Sequence, residues 1–344
     1  MNLPSEMRAV VLTGHGGLEM LEFREDFPVP TPSDEEVLVA VAACGMNNTD
    51  VNTRVGWYAR TGSDDEGSWG GSLTFPRVQG ADPVGRIVAT GGVISASRVG
   101  ERVLIDAWKR GTTEAAYLGS EYDGGYAEYV AVPAENAYPI KSSLSDVELA
   151  SFPCSYATAE HMLYRVDLST DEWVLVSGAS GGVGTALIQL AKRRGSRVVA
   201  LTSAVKLEDV SSMGADLVLD RSMSELDKAV VAETGGVHVF ADVVGGDVFP
   251  SLFETIRRHG HYVVAGAIGG PIVQLDLRTL YLRDITMHGA TVLPPAVFEN
   301  LIAYIERDEI KPLVAATYPL SELREAQSDF IKKDHVGAFV IEIG

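Results

Sequence analysis

A chain of 344 residues is long enough for two domains with a sizeable core, and 46% apolar against 22% charged residues is the balance of a globular protein. No stretch reaches the apolar length needed to cross a bilayer, and a net charge of −19 repels nucleic acid and anionic membranes, so neither is expected as a partner. Cys44 and Cys154 are the only cysteines and sit in no CxxC or CxxH pattern; neither a disulfide framework nor a structural zinc site is encoded, and both read as reduced packing residues. The N-terminus carries neither the basic nor the apolar region of an export signal, so a cytoplasmic location is expected.

Taken in order, residues 8–13 form a β-rich run, Pro28, Pro30 and Pro32 mark an extended linker, and 36–43 alternate around Val37, Val39 and Val41. An all-β start follows. The Gly-, Ser- and acid-rich segment 59–74 predicts a mobile loop, and 86–89 and 102–105 resume strand patterning. Helices are predicted over 142–150 and 158–166. From Asp171 onward strands and helices alternate, which predicts a parallel sheet with helices on both faces. The strands fall at 173–176, 198–201, 217–219, 237–244, 262–266 and 285–288, with helical stretches such as 205–213 and 249–258 between them. An amphipathic helix, 297–307, and a strand, 338–343, close the chain, which has no internal repeat and no low-complexity segment.

The most informative stretch follows the strand 173–176. It reads Gly178-Ala179-Ser180-Gly181-Gly182-Val183-Gly184, and Val183, Leu187, Leu190 and Ala191 then recur at helical spacing until Gly195. Glycines 178, 181 and 184 let the backbone turn sharply and bring a pyrophosphate to peptide N–H groups at the positive end of the helix dipole. A lone GxxGxxG is a weak signal; the second strand after the helix completes the strand–helix–strand unit that dinucleotide binding requires. An NAD-binding unit carries an acidic residue at the end of that second strand. Here the place reads Leu201-Thr202-Ser203-Ala204-Val205-Lys206, so no carboxylate repels a 2′-phosphate, Ser203 can donate to it and Lys206 supplies a charge. NADPH is the expected cofactor. The competing reading of Lys206 is an exposed residue in the first turn of the next helix.

Several motifs then occur in one order: Glu36-Val37-Leu38-Val39, Gly80-Ala81-Asp82-Pro83-Val84-Gly85, Val99-Gly100-Glu101-Arg102-Val103, Gly124-Gly125-Tyr126-Ala127-Glu128-Tyr129, the glycine turn, and Asp242-Val243-Val244-Gly245-Gly246. Over essentially its whole length the chain resembles a medium-chain dehydrogenase/reductase. The resemblance implies an α/β fold with a GroES-like β domain over 1–140 and a doubly wound parallel Rossmann domain over 141–295. The segment 296–344 would return to the first domain, with the active-site cleft between the two. Ligand positions of the zinc members fall on Asn47, on Ala81 with Asp82 after it, and on Cys154. One thiolate and one carboxylate do not make a three-ligand catalytic site, and the structural zinc lobe has no counterpart between Asp106 and Asp123. The resemblance is therefore to the zinc-free quinone reductase and enoyl reductase branch, with Cys154 a small residue packed under the cofactor.

The segment from Asn47 to Tyr58 resembles the active-site loop of mitochondrial-type enoyl thioester reductases, whose catalytic tyrosine falls on Tyr58. Its phenol, protonated at neutral pH, would polarise a carbonyl or deliver a proton as hydride arrives. The plainer alternative is a tyrosine packed beside Trp57. Asn47 is implied to contact the nicotinamide ribose; it also reads as an Asx-turn cap, and the two roles are not exclusive. Thr158 would lie near the nicotinamide, or cap a helix. The resemblance places cofactor binding on Thr158, Gly178, Ser180, Gly181, Gly182, Val183, Gly184, Ser203, Lys206, Val244, Gly266 and Ile268. The histidines show no metal-ligand spacing, and His259 and His261, flanking Gly260, suggest a turn. Three functions stay open: an NADPH-dependent reductase of activated C=C bonds in enones, quinones or enoyl thioesters, a zinc-free NAD(P) alcohol or carbonyl dehydrogenase, and a non-catalytic NADPH sensor. A homodimer acting on a small molecule is the expected assembly.

Overall fold

The strand Glu36–Met46 is apolar along nearly its whole length and buried at most positions, so it takes partners on both edges. In the computed structural model, which describes residues 3–58, 73–109 and 116–344, Asp82–Thr90 pairs antiparallel along one edge. Tyr129–Pro133 and Ala338–Glu342 share the other. With Arg102–Ile105, Ala137–Pro139 and Val314–Pro319 they make a seven-stranded sheet, while Glu6–Leu12, Leu21–Pro28 and Arg77–Val78 form a separate three-stranded sheet. The acidic part of the predicted loop 59–74 lies outside the described residues.

Residues 155–301 form one compact unit, and residues 1–154 with 302–344 form the other. The first of these holds a six-stranded parallel sheet in the order Leu217–Asp220, Arg197–Thr202, Trp173–Val176, Val237–Asp242, Ile256–Val264, Thr286–Gly289. Numbered along the chain this is 3-2-1-4-5-6, the doubly wound order, whose strand ends at the reversal form a ligand crevice. Its core gathers Leu175, Val199, Phe240, Phe249 and Phe253, and the rings of those three phenylalanines lie 5.2 to 5.9 Å from Tyr262. Among the described residues no helix is long and apolar enough to cross a membrane.

Several local expectations need correction. The helix predicted to run to 258 ends at Phe253, and Ile256–Val264 is strand. His259 and His261 thus lie inside a strand rather than a turn; a register irregularity between Val237 and Val239 accommodates His259 at φ 60°. The helix predicted from 158 begins at Pro153, where a missing N–H costs nothing. Thr158 is therefore in a helix interior and caps nothing.

Candidate functional site

The glycine turn owes its shape to different glycines for different reasons. Gly178 has φ 61°, a conformation that L side chains rarely adopt. A Cβ on Gly184 would stand 2.2 Å from the Gly178 carbonyl oxygen, and one on Gly182 2.4 Å from Ser155 Oγ. Gly181 is exposed, and the nearest atom to a Cβ there would be 3.5 Å away. Its missing side chain leaves open space over the start of the helix Gly182–Arg193. No side chain caps that helix, so its first-turn N–H groups are presented to an anion. Ser180 and Val183 are half-buried in the same turn.

Neighbouring strand ends are tied to this turn. Asp242 is buried, and its carboxylate accepts from Ser177 Oγ at 2.5 Å, Val244 N at 2.8 Å, Gly245 N at 3.1 Å and Tyr262 Oη at 3.0 Å. Val244 in turn accepts from Gly269 N at 2.7 Å, and Val243 from Ile268 N at 3.4 Å, so Val244, Gly266 and Ile268 come together on one loop pair. The Ala179 N–H reaches Leu201 O at 3.1 Å, joining the turn to the second strand's end. There Thr202 Oγ1 is buried with no hydrogen-bond partner among the described residues, which suits a ribose hydroxyl or phosphate. Lys206, in the short turn Ala204–Lys206, is only 9% exposed, against the reading of it as a solvated helix residue. Thr158 is half-buried on the helix Pro153–Arg165.

In the other unit Asn47 ends the strand Glu36–Met46 and opens the helix Asn48–Val55. Asp50, three residues on, accepts from the Asn47 N–H at 2.8 Å, which is half of a capping box. Asp50 also takes the Gly80 N–H at 3.2 Å and the Tyr126 hydroxyl at 3.0 Å. Burial pushes its carboxyl up to about 6 against the pull of these bonds. A capping box joins Asn47 and Asp50 at the start of this helix, and the Asn47 Nδ2 also donates to Asp82 Oδ2 at 2.9 Å, while Asp82 Oδ1 accepts the Cys154 N–H at 3.0 Å. Burial raises Asp82 well above the usual carboxylate range, and these two bonds oppose the rise.

Tyr58 follows the left-handed Gly56, φ 70°, that ends the helix. Its ring packs edge-to-face on Trp57 at 5.3 Å, and its oxygen accepts from Asn52 Nδ2 at 3.4 Å. Burial raises the phenol's pKa, so it stays protonated at neutral pH. Cys154 lies close enough to act on Tyr58, and the Tyr117 hydroxyl is hydrogen-bonded to it. It is thus set among polar groups rather than in an apolar pocket. Neither cysteine forms a disulfide. Sequence reasoning passed over Asp50, Asn52, Tyr117 and Tyr126; only the Asn47/Asp50 spacing carried a local signal.

Residues 33–142 match the family described as alcohol dehydrogenase GroES-like domain, and 182–307 match zinc-binding dehydrogenase. The chain is 29% identical to the quinone oxidoreductase of Pongo abelii over 94% of each sequence. It is 28% identical to the chloroplastic NADPH-dependent alkenal/one oxidoreductase of Arabidopsis thaliana, over 99% of this chain and 80% of that protein. A solved structure from Sinorhizobium meliloti 1021, provisionally called an alcohol dehydrogenase, superposes with a TM-score of 0.94 at 47% identity, over 99% of this chain and 98% of that one. The protein is an oxidoreductase of the kind that binds a nicotinamide cofactor. The two matched domains, the doubly wound sheet and the full-length relatives agree, and the chain belongs to the medium-chain dehydrogenase/reductase superfamily.

Proposed function

We propose that this protein is a zinc-independent, NADPH-dependent reductase that delivers hydride to an activated C=C bond of an enone, quinone or enoyl thioester. Tyr58 carries the reading. Its oxygen accepts from Asn52, and burial keeps its proton in place at neutral pH. Hydride addition to a β-carbon builds negative charge toward the carbonyl oxygen, which a positioned phenol can meet with a hydrogen bond or a proton. When bound, NADPH supplies the hydride.

The chain's own groups fit that cofactor. The uncapped start of the helix Gly182–Arg193 and the space beside Gly181 suit a pyrophosphate. Ser203 and Lys206 read the 2′-phosphate, beside Leu201 and Thr202 where an NAD site would carry an acid. Asn47 meets the nicotinamide ribose, and Thr158 the nicotinamide. A catalytic zinc is not fitted: Ala81 has no donor atom, and Asn47 spends its side-chain N–H on Asp82.

The alternative, a zinc-free alcohol or carbonyl dehydrogenase, is favoured by the provisional name of the Sinorhizobium relative. A panel of enones, quinones, enoyl-CoA thioesters and aldehydes separates the two by NADPH oxidation. Turnover with C=C acceptors is expected; turnover with aldehydes alone would support the dehydrogenase, and oxidation by none of them a sensor. We propose a homodimer as the assembly, because Ile272, Leu277, Tyr281 and Leu282, in the segment that leads into the sheet's edge strand Thr286–Gly289, are more than half exposed. A single-chain mass in light scattering would refute it.

A further inference from the structure

Arg54 stands in the last turn of the helix Asn48–Val55 and is only 2% exposed. Its Nε donates to Gln327 Oε1 at 2.9 Å and its Nη1 to the Gly16 carbonyl oxygen at 2.7 Å, and both acceptors are neutral. A guanidinium has five N–H donors and always carries its charge, so these two bonds leave most of the donors and the whole charge to be met. Among the described residues no carboxylate pairs with it: Glu19 acts on it only from a distance, and itself takes the Gly17 N–H at 3.0 Å. Burial lowers the Arg54 pKa, a sign of what it costs to hold that charge away from water. Gln327, on the helix Leu323–Lys332, is fully buried; Arg54 takes its oxygen, and its Nε2 has no partner among the described residues. Turning the amide over would set its NH2 against the Arg54 Nε–H and strand the oxygen instead. Both helices and Gly16 belong to the same compact unit.

We infer that Arg54 and Gln327 hold a small inorganic anion, of the size of chloride, inside this unit. The groups still to be met are all donors and one of them is charged, so what completes the set must accept hydrogen bonds and carry negative charge. Water does only the first. An anion does both, and a monatomic one needs the least room beside two side chains already in contact at 2.9 Å. The net charge of −19 repels anions at long range, so binding depends on these local donors and should be lost when they are changed. The ion would tie the helix Asn48–Val55, which leads through Gly56 toward Tyr58, to the helix Leu323–Lys332. Nothing in this depends on which reaction the protein catalyses.

The test uses the full-length chain with chloride and bromide. Melting temperatures are read along a chloride titration at constant ionic strength, with gluconate, too large for the site, as the balancing anion. Crystals grown in bromide locate the ion by its anomalous scattering. A saturable rise is expected, of about 3 °C when chloride reaches about ten times its Kd, together with a bromide peak within hydrogen-bond reach of Arg54 and Gln327 Nε2. Gln327→Glu supplies the negative charge covalently, so it should melt at or above the original protein in gluconate and show no saturable rise with chloride. Three results would each overturn the inference: no saturable rise in the original protein, an equal rise in Gln327→Glu, or a water at Gln327 Nε2 with no bromide peak. Should Gln327→Glu fail to fold, Gln327→Met takes its place, because it removes the orphan donor without adding a charge. It should lose the rise, and a rise that persists in it would overturn the inference equally.

Discussion

Replacing Tyr58 with phenylalanine removes one oxygen and little else. The ring keeps its edge-to-face contact with Trp57 at 5.3 Å, so its packing survives. The hydrogen bond given up, from Asn52 at 3.4 Å, is long, and a neutral bond of that kind contributes about 1 kcal/mol or less. The melting temperature should therefore move by only a few degrees. The phenolic proton is a different matter. Burial holds the phenol protonated throughout the neutral range, and a positioned acid contributes about a hundredfold in rate, which is about 2.7 kcal/mol of barrier. Tyr58→Phe should lower kcat by about that factor while the Kd for NADPH changes less than about threefold. Stopped-flow oxidation of saturating NADPH with saturating enone reads the first, and fluorescence titration the second. Asn52→Ala, which removes only the group orienting the phenol, should cost less, about tenfold. A Tyr58→Phe enzyme that keeps its turnover would reduce Tyr58 to a ring partner of Trp57 and remove the proposed acid.

Gly184→Ala puts a methyl 2.2 Å from the Gly178 carbonyl oxygen, and overpacking of that kind costs about 1–3 kcal/mol. A lower midpoint in urea and weaker NADPH binding are expected; unchanged stability would contradict the turn's geometry. Lys206→Glu should bring the ratio of kcat/KM for NADPH over NADH below one, and an unchanged ratio would take Lys206 out of the 2′-phosphate site. The Asp50 carboxyl is raised from its ordinary 3.8 to about 6 in the folded protein, so its contribution to stability is fully present below about pH 3.8 and lost as pH rises through about 6. From pH 5 to pH 7 that loss is about 1 kcal/mol, and it should be absent in Asp50→Asn. Parallel slopes in urea melts of the two proteins would show that Asp50 is not the group responsible.

The parallel sheet was legible because its strands are continuous apolar runs separated by helices. Trp173–Val176 is buried at three of its four positions and reads as a strand at sight. The strands that escaped are half-wet. Leu21–Pro28 carries Glu22, Arg24, Glu25 and Asp26, and Val314–Pro319 alternates half-buried with exposed positions, so neither shows an apolar run. The helix predicted over 249–258 overran because a short apolar stretch does not tell helix from buried strand. In the candidate site Asn47 and Tyr58 stood out because the segment that holds them resembles a known active-site loop, whereas their supports did not. Asn47 meets Asp82 across 35 residues, and Tyr126 meets Asp50 across 76. Such pairs exist only once the sheet has formed, and one sequence holds no periodicity that encodes them.

Hydride is expected to reach a carbon of the C=C bond without zinc. The most direct measurement incubates chelator-treated protein with an enone and NADPH deuterated at the transferable position, then locates the deuterium by mass spectrometry and NMR. A saturated ketone labelled at the β-carbon is predicted. An allylic alcohol labelled at the former carbonyl carbon, or activity that returns only with added zinc, would contradict it.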